Sequence, residues 1–135
     1  TSARTVARRT GAIARWRGIA EDALRVSGRP FRTEVAEVVE LDALVATGPE
    51  GVGWVASLGA ETPWRSAMSG PPPEAMTFVV GPEGGLTDAE REALDAAGWR
   101  SLSMGPYTLR TETAGAALLA AARCAWTEEE QGNGG

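Results

Sequence analysis

The chain has 135 residues, 43% hydrophobic and 23% charged, with a formal net charge of −5. These values are typical of one globular domain with a buried core and exclude an intrinsically disordered chain. The chain has no histidine, which excludes Ser-His-Asp triads and histidine-based metal sites, and its one cysteine excludes an internal disulfide and a cysteine-based metal site. No apolar run is long enough for a transmembrane helix. We expect a cytoplasmic protein without a metal.

The first predicted element is an amphipathic helix over residues 11–27, which ends at Gly28-Arg29-Pro30. Residues 1–32 contain eight arginines and two acidic residues, whereas residues 33–135 contain five arginines and sixteen acidic residues. The chain has no lysine. Because the arginine fork suits phosphate, this basic end is compatible with nucleic-acid contact, and a solvated basic helix face is the alternative.

The middle of the chain has weaker patterns. Val35, Val38 and Val39 favour a strand, and a run of prolines and small residues favours a loop. In chain order we predict a strand over 33–39, a helical turn over 41–46, a strand over 52–58, and a loop over 59–76 with a short helix at 64–68.

The second half predicts strands alternating with helices. An apolar run at 76–80 is typical of a fully buried strand, and Thr87 with Glu90 forms a capping box that starts a helix ending at Gly98. A strand over 99–104 and a long helix over 111–126 follow. The sequence therefore predicts an α/β fold, with a mostly parallel sheet and helices on both faces.

Two segments that follow predicted strands are candidate binding loops. Gly81-Pro82-Glu83-Gly84-Gly85 lies between a strand and a helix, where exposed backbone groups can bind a ligand. Its spacing is neither a dinucleotide fingerprint nor a P-loop, and a tight structural turn is equally compatible. The second segment is 104–114. A structural interpretation is that Thr111 caps the following helix and Glu112 interacts with the helix dipole. This interpretation gives no reason for Arg110.

These two motifs, FVVGPEGGLTDAE and LSMGPYTLRTETAGAALLA, together resemble the ribosomal RNA small subunit methyltransferase E family. The helix ARWRGIAEDALRVSGR is also similar to a helix of that family. The resemblance extends over roughly residues 10–126 and is strongest over 77–120. Members are SPOUT-class RNA methyltransferases that use S-adenosylmethionine (SAM).

The resemblance implies a fold, a cofactor site and partners. The last helix would be threaded through a loop to form a trefoil knot, an exception to the rule that protein chains are not knotted. The protein would be a homodimer that methylates N3 of a uridine in 16S rRNA. SAM would bind among three loops. The cofactor-binding residues expected from the resemblance are Ser57, Leu58, Gly81, Pro82, Glu83, Gly84, Gly85, Met104, Gly105, Leu109 and Thr111.

Two further residues are candidates for catalysis. Uridine N3 must lose its proton, and the Arg110 guanidinium would stabilise the resulting anion, while Glu112 would orient Arg110 or accept a proton. The alternative is that Arg110 and Glu112 form a structural ion pair.

The chain departs from the family at several positions. The family has an N-terminal PUA-like RNA-binding domain, so we expect residues 1–9 to be a linker or the end of such a domain, residues 10–127 the methyltransferase domain, and 128–135 a flexible tail. Val26, Ser57 and Tyr107 stand where the family usually has Gln, His and Arg. These departures leave two alternatives open: a SPOUT enzyme for another RNA, and a non-catalytic dimerisation or binding module.

Overall fold

The computed structural model describes residues 3–30 and 32–132, in two compact units that divide between Glu40 and Leu41. This division lies within the range predicted as the methyltransferase domain. In chain order the elements are α1 (Ala3–Ser27), α2 (Leu41–Thr47), β1 (Val52–Ala56), α3 (Trp64–Ala67), β2 (Met76–Val80), α4 (Asp88–Ala96), β3 (Arg100–Leu102) and α5 (Thr111–Gly132).

These elements confirm each predicted helix and three of the four predicted strands; β2 has the predicted bounds, and most of the others have shifted ends. α1 begins earlier than predicted, and α5 continues through Gly132 into the segment predicted as a tail. The ends of the predicted linker and tail, at 1–2 and 133–135, lie outside the described residues. None of the helices described combines the length and apolar character that a bilayer crossing requires.

The predicted strand over residues 33–39 is wrong, since this segment has no strand residue. A strand needs a neighbouring strand to pair its backbone groups. Here the Val35 carbonyl accepts a hydrogen bond from Arg17 Nε at 3.1 Å, and Arg17 Nη2 contacts Glu37 Oε1 at 2.6 Å. A side chain of α1 therefore holds the segment within the first unit.

Several arginines of the first unit are paired with carboxylates. The pairs are exposed, so each contributes little to the free energy of folding. They do, however, neutralise part of the basic face, which favours the solvated-face interpretation for these side chains. The pairs are Arg17–Glu37 at 2.6 Å, Arg25–Asp22 at 3.3 Å and Arg32–Glu21 at 2.7 Å.

The second unit contains a parallel three-stranded sheet in the order β2-β1-β3. In the register, Val52 lies opposite Met76 and Trp54 opposite Arg100. The prediction that β2 is fully buried is wrong: its five residues are half-buried, because β2 lies at an edge of this sheet. The central strand β1 is the buried one.

Helices cover both faces of the sheet, as predicted. On one face, Trp54 and Leu102 pack with Met68 and with Leu118 of α5. On the other face, Val55 packs with Trp99 and with Leu94 of α4, and three residues of α2 lie against this cluster. Alternate residues of β1 point to opposite faces, so the strand contributes to both clusters. The α/β class with a parallel sheet is therefore confirmed, and the trefoil knot stays a prediction.

The order of the strands places a crevice at the centre of the sheet. The chain passes from β1 to β2 on one side and then to β3 on the other, so the direction of winding reverses at β1. All strands are parallel, and their carboxyl ends meet at one edge. This reversal is where open α/β sheets bind their ligands.

Candidate functional site

A cavity of about 540 Å³ opens at the carboxyl edge of the sheet. Three segments supply most of its lining, one after each strand: 56–58, 80–86 and 104–111. Arg91 of α4 and Ala114 of α5 complete it. Its volume is within the usual range, ~300–1,000 Å³, of small-molecule sites.

All but two of the residues predicted for the site line this cavity. Those that line it are Ser57, Leu58, Gly81, Pro82, Glu83, Gly85, Met104, Gly105, Leu109, Arg110 and Thr111. Among the described residues, Gly84 and Glu112 are the predicted ones that do not. The structure thus brings the three predicted loops together, while the role of each residue in binding or catalysis stays a prediction.

Sequence reasoning missed several lining residues. Leu86 separates the glycine loop from the capping residue Thr87, and Arg91 lies one helical turn into α4. The helical period from Asp88 could have placed Arg91 at this end of the helix, since the two form an i,i+3 ion pair at 3.1 Å. The missed residues are Ala56, Val80, Leu86, Arg91, Thr108 and Ala114.

The loop after β2 is a tight turn that also borders the cavity. The Gly85 amide donates to the Pro82 carbonyl at 2.8 Å, and Gly85 has φ +76°, which favours glycine. A Cβ on Gly81 would lie 3.2 Å from Leu86 Cγ, so a larger residue would crowd the loop. A Cβ on Gly84 would meet nothing within 4 Å. The turn and the binding-loop interpretations therefore describe the same loop.

The capping box that follows this loop is confirmed. The Thr87 amide donates to Glu90 Oε2 at 2.8 Å, and the Glu90 amide donates to Thr87 Oγ1 at 3.2 Å. The two bonds satisfy amides that the first turn of α4 leaves free. They fix where the helix begins, and hence where the loop before it must close.

Thr111 connects the second and third cavity segments. Its hydroxyl donates to the Gly81 carbonyl at 2.9 Å. The interpretation of Thr111 as the helix cap is wrong, because Thr111 is already the first residue of α5. The flanking residue is Arg110, whose carbonyl accepts from the amides of Thr113 and Ala114 at 3.0 and 2.8 Å. This position explains why Arg110 lies at the cavity.

The first segment is connected through the backbone to β3, which leads into the third segment. The Ser57 amide donates to the Leu102 carbonyl at 3.0 Å, and the Ser103 amide donates to the Thr62 carbonyl at 2.7 Å. The Gly105 amide, in a turn with φ +120°, donates to Ser103 Oγ at 3.2 Å. Hydrogen bonds thus join the third segment to the second and hold the first segment beside β3, so the cavity is formed by the fold itself.

The cavity lining combines apolar side chains with three charged ones. Glu83, Arg91 and Arg110 are the charged residues. The alternative role of Arg110 and Glu112 is a structural ion pair. The ion pairs of the described side chains do not include it. Such a lining suits a ligand with both a flat apolar part and charged groups. The apolar side chains are Val80, Leu86, Met104 and Leu109, with Ala56, Leu58 and Ala114 beside them.

Comparison with known proteins gives one family and several relatives. Residues 1–123 match the family described as RNA methyltransferase domain. The chain is 34% identical over 102 residues to ribosomal RNA small subunit methyltransferase E of Aquifex aeolicus, covering 74% of this chain and 42% of that protein. It is 35% identical over 133 residues to the Mycobacterium bovis protein of the same name, covering 89% of this chain and 49% of the relative. The chain thus spans less than half the length of these relatives.

Solved structures share the fold. Ribosomal RNA small subunit methyltransferase E from Neisseria gonorrhoeae, bound to SAM, has a TM-score of 0.76 and 30% identity over 88% of this chain and 50% of that one. A Legionella pneumophila protein in complex with the bound cofactor SAM has a TM-score of 0.77 and 28% identity over 87% of this chain and 48% of that one.

Proposed function

This chain belongs to the RNA methyltransferase domain family, and from that premise we propose that it transfers a methyl group from SAM to N3 of a uridine in 16S rRNA. The observation that carries the proposal is the cavity formed where the segments after β1, β2 and β3 meet. The resemblance to ribosomal RNA small subunit methyltransferase E is confirmed by the relatives of that name.

The lining of the cavity fits SAM. Leu86 and Met104 offer an apolar surface for the adenine ring, and the glycine loop offers backbone groups for its polar edge. The Glu83 carboxylate complements positive charge. When bound, SAM supplies an electrophilic methyl group on a sulfonium, and transfer needs alignment more than acid–base power. A cavity preformed by hydrogen bonds between its segments supplies that alignment.

Arg110 is the proposed catalytic residue. Uridine N3 would lose its proton to solvent and accept the methyl group that SAM supplies, with the sulfur as the leaving group. The Arg110 guanidinium at the cavity would stabilise the negative charge that develops on the base. Glu112 lies off the lining, in the first turn of α5, so we assign it interaction with the helix dipole rather than proton transfer.

Assembly and substrate choice are part of the same proposal. The resemblance supports a trefoil-knotted SPOUT domain that acts as a homodimer. The chain spans less than half the length of the curated relatives it matches, so the RNA substrate is a proposal, which methyl transfer by the chain itself tests.

Calorimetric titration of the chain with SAM tests the cofactor site. We expect one site per chain. Gly81→Val should abolish binding, because a side chain there crowds Leu86, and Gly84→Ala is the matched control, since its Cβ meets open space. A folded chain that binds no SAM would contradict the proposal and favour a non-catalytic module.

Transfer of labelled methyl groups tests the substrate. The chain is incubated with labelled SAM and unmethylated small ribosomal subunits, and the modified nucleotide is mapped. Label at N3 of a uridine in 16S rRNA supports the proposal. Label on another RNA would identify a methyltransferase with a different substrate.

A further inference from the structure

Tyr107 is an aromatic side chain left exposed at the cavity. It lines the cavity, yet 82% of its surface is accessible to solvent. It follows Gly105, at φ +120°, and Pro106, whose ring fixes its own φ. An aromatic ring contributes most when it is covered, and here the fold holds one in water.

Two leucines extend the apolar surface around this ring. Leu58, from the segment after β1, is 67% exposed, and Leu109, from the segment after β3, is 40% exposed. Both line the same cavity as Tyr107. Single exposed apolar residues are ordinary on protein surfaces, but several around one cavity form a patch that marks a binding site. We call Leu58, Tyr107 and Leu109 the apolar rim.

The charge beside the apolar rim favours a nucleotide as its partner. Arg110 lines the same cavity and is not among the ion pairs of the side chains described, whereas Arg91 is paired with Asp88 at 3.1 Å. A guanidinium suits phosphate or a base that loses a proton, and an aromatic face suits the π-face of a base. A lipid tail or an apolar peptide would contact the apolar rim but would have no group for the Arg110 guanidinium to bind.

We propose that Tyr107 stacks on the base of the RNA nucleotide that enters the cavity, an inference that rests on the proposed function. Enzymes that modify a base take it out of the helical stack, and aromatic or apolar side chains replace the lost stacking. Stacking is indifferent to the identity of the base. Tyr107 therefore sets the affinity for RNA, and the affinity for the methyl donor depends on other lining residues.

Fluorine NMR tests the contact directly, because Tyr107 is the only tyrosine of the chain. Protein labelled with 3-fluorotyrosine gives one resonance, which should shift when a short oligouridylate is added. A matched strand that lacks its bases should leave the resonance unchanged. No shift with oligouridylate, or equal shifts with both strands, would overturn the proposal.

Substitutions test the consequence for turnover. Tyr107→Phe keeps the ring and should behave like the unchanged chain, whereas Tyr107→Leu should raise KM for RNA on the order of tenfold with the SAM Kd unchanged. Val26→Ala, at an 88% exposed position on α1, is the control. An unchanged KM, a weakened SAM Kd, or a change of oligomeric state in Tyr107→Leu would contradict stacking.

Methyl transfer by the unchanged chain and by Tyr107→Leu distinguishes a failure of stacking from a failure of the proposed function. If the unchanged chain methylates rRNA and Tyr107→Leu does so equally well, stacking is wrong and the function stands. If the unchanged chain transfers no methyl group to RNA, the proposed function fails. The fluorine resonance then decides whether Tyr107 binds a base.

Discussion

At the scale of single residues, the place of Arg110 at the start of a helix explains why it is a candidate for catalysis. Arg110 precedes the first residue of α5, and its carbonyl accepts the first hydrogen bonds of the helix. Its backbone position is thereby set at the lining of the cavity. A guanidinium placed there can stabilise negative charge that develops in a transition state.

Arg110→Ala should therefore reduce turnover far more than SAM affinity. Loss of one preorganised donor costs about 10²–10³-fold in kcat. Single-turnover methyl transfer and calorimetry measure the two quantities. Arg65→Ala removes an arginine from α3, outside the cavity lining, and should change neither. Equal losses of turnover and SAM affinity in Arg110→Ala would instead identify a structural role.

Thr111 should contribute to stability and to SAM binding through one hydrogen bond. Thr111→Val keeps the shape but leaves the Gly81 carbonyl without its 2.9 Å partner, which should cost about 1 kcal/mol in the free energy of unfolding. Urea denaturation measures this cost, and calorimetry measures the weaker SAM affinity. Thr113→Val, at an exposed position in the same helical turn, is the control. Equal effects of both variants would exclude a role for the bond.

At the scale of elements, α5 connects the cavity to the core. Its first residue contacts the loop after β2, and further along Leu118 is fully buried against the face of the sheet that includes Trp54. Near its end, Trp126 Nε1 donates to the Gly70 carbonyl at 3.1 Å. Packing along the helix therefore holds Arg110 and Thr111 at the cavity.

Adjacent leucines of α5 should differ sharply in their contribution to stability. Leu118→Ala removes a side chain with 0% exposure and should cost about 2–5 kcal/mol, because the cavity left behind cannot close completely. Leu119→Ala, at 60% exposure, should cost far less. Urea denaturation of both variants measures the difference. Similar losses would mean that Leu119 is covered in the folded protein, as a homodimer contact would require.

At the scale of the whole unit, the cavity is where distant parts of the chain meet. A ligand that contacts all three segments binds the folded state and not the unfolded chain. SAM at a hundredfold excess over its Kd should therefore stabilise the unit by ~2.7 kcal/mol. A thermal unfolding scan with and without SAM measures this, and Gly81→Val, whose folding is checked in the same scan, should show no such stabilisation.

Local patterns predicted much of the fold because they act within a few residues. The capping box at Thr87 and the apolar run at 76–80 each depend on neighbours in the chain, and both elements begin where predicted. The strand predicted over 33–39 is wrong for the opposite reason. Its three valines favour a strand, but strand pairing depends on a partner elsewhere in the chain, and the Val35 carbonyl accepts a hydrogen bond from Arg17 instead.

The sequence by itself determined the local structure of the cavity segments and the family to which they point, because turns, caps and motifs are short-range. Only the tertiary structure decided which side chains share the cavity. The strand order β2-β1-β3 brings the three segments to one edge, where Leu86 and Arg91 are part of the cavity lining and Gly84 and Glu112 are not. The physical reason is that pairing and packing between distant segments set these positions, and no short stretch of sequence contains both partners.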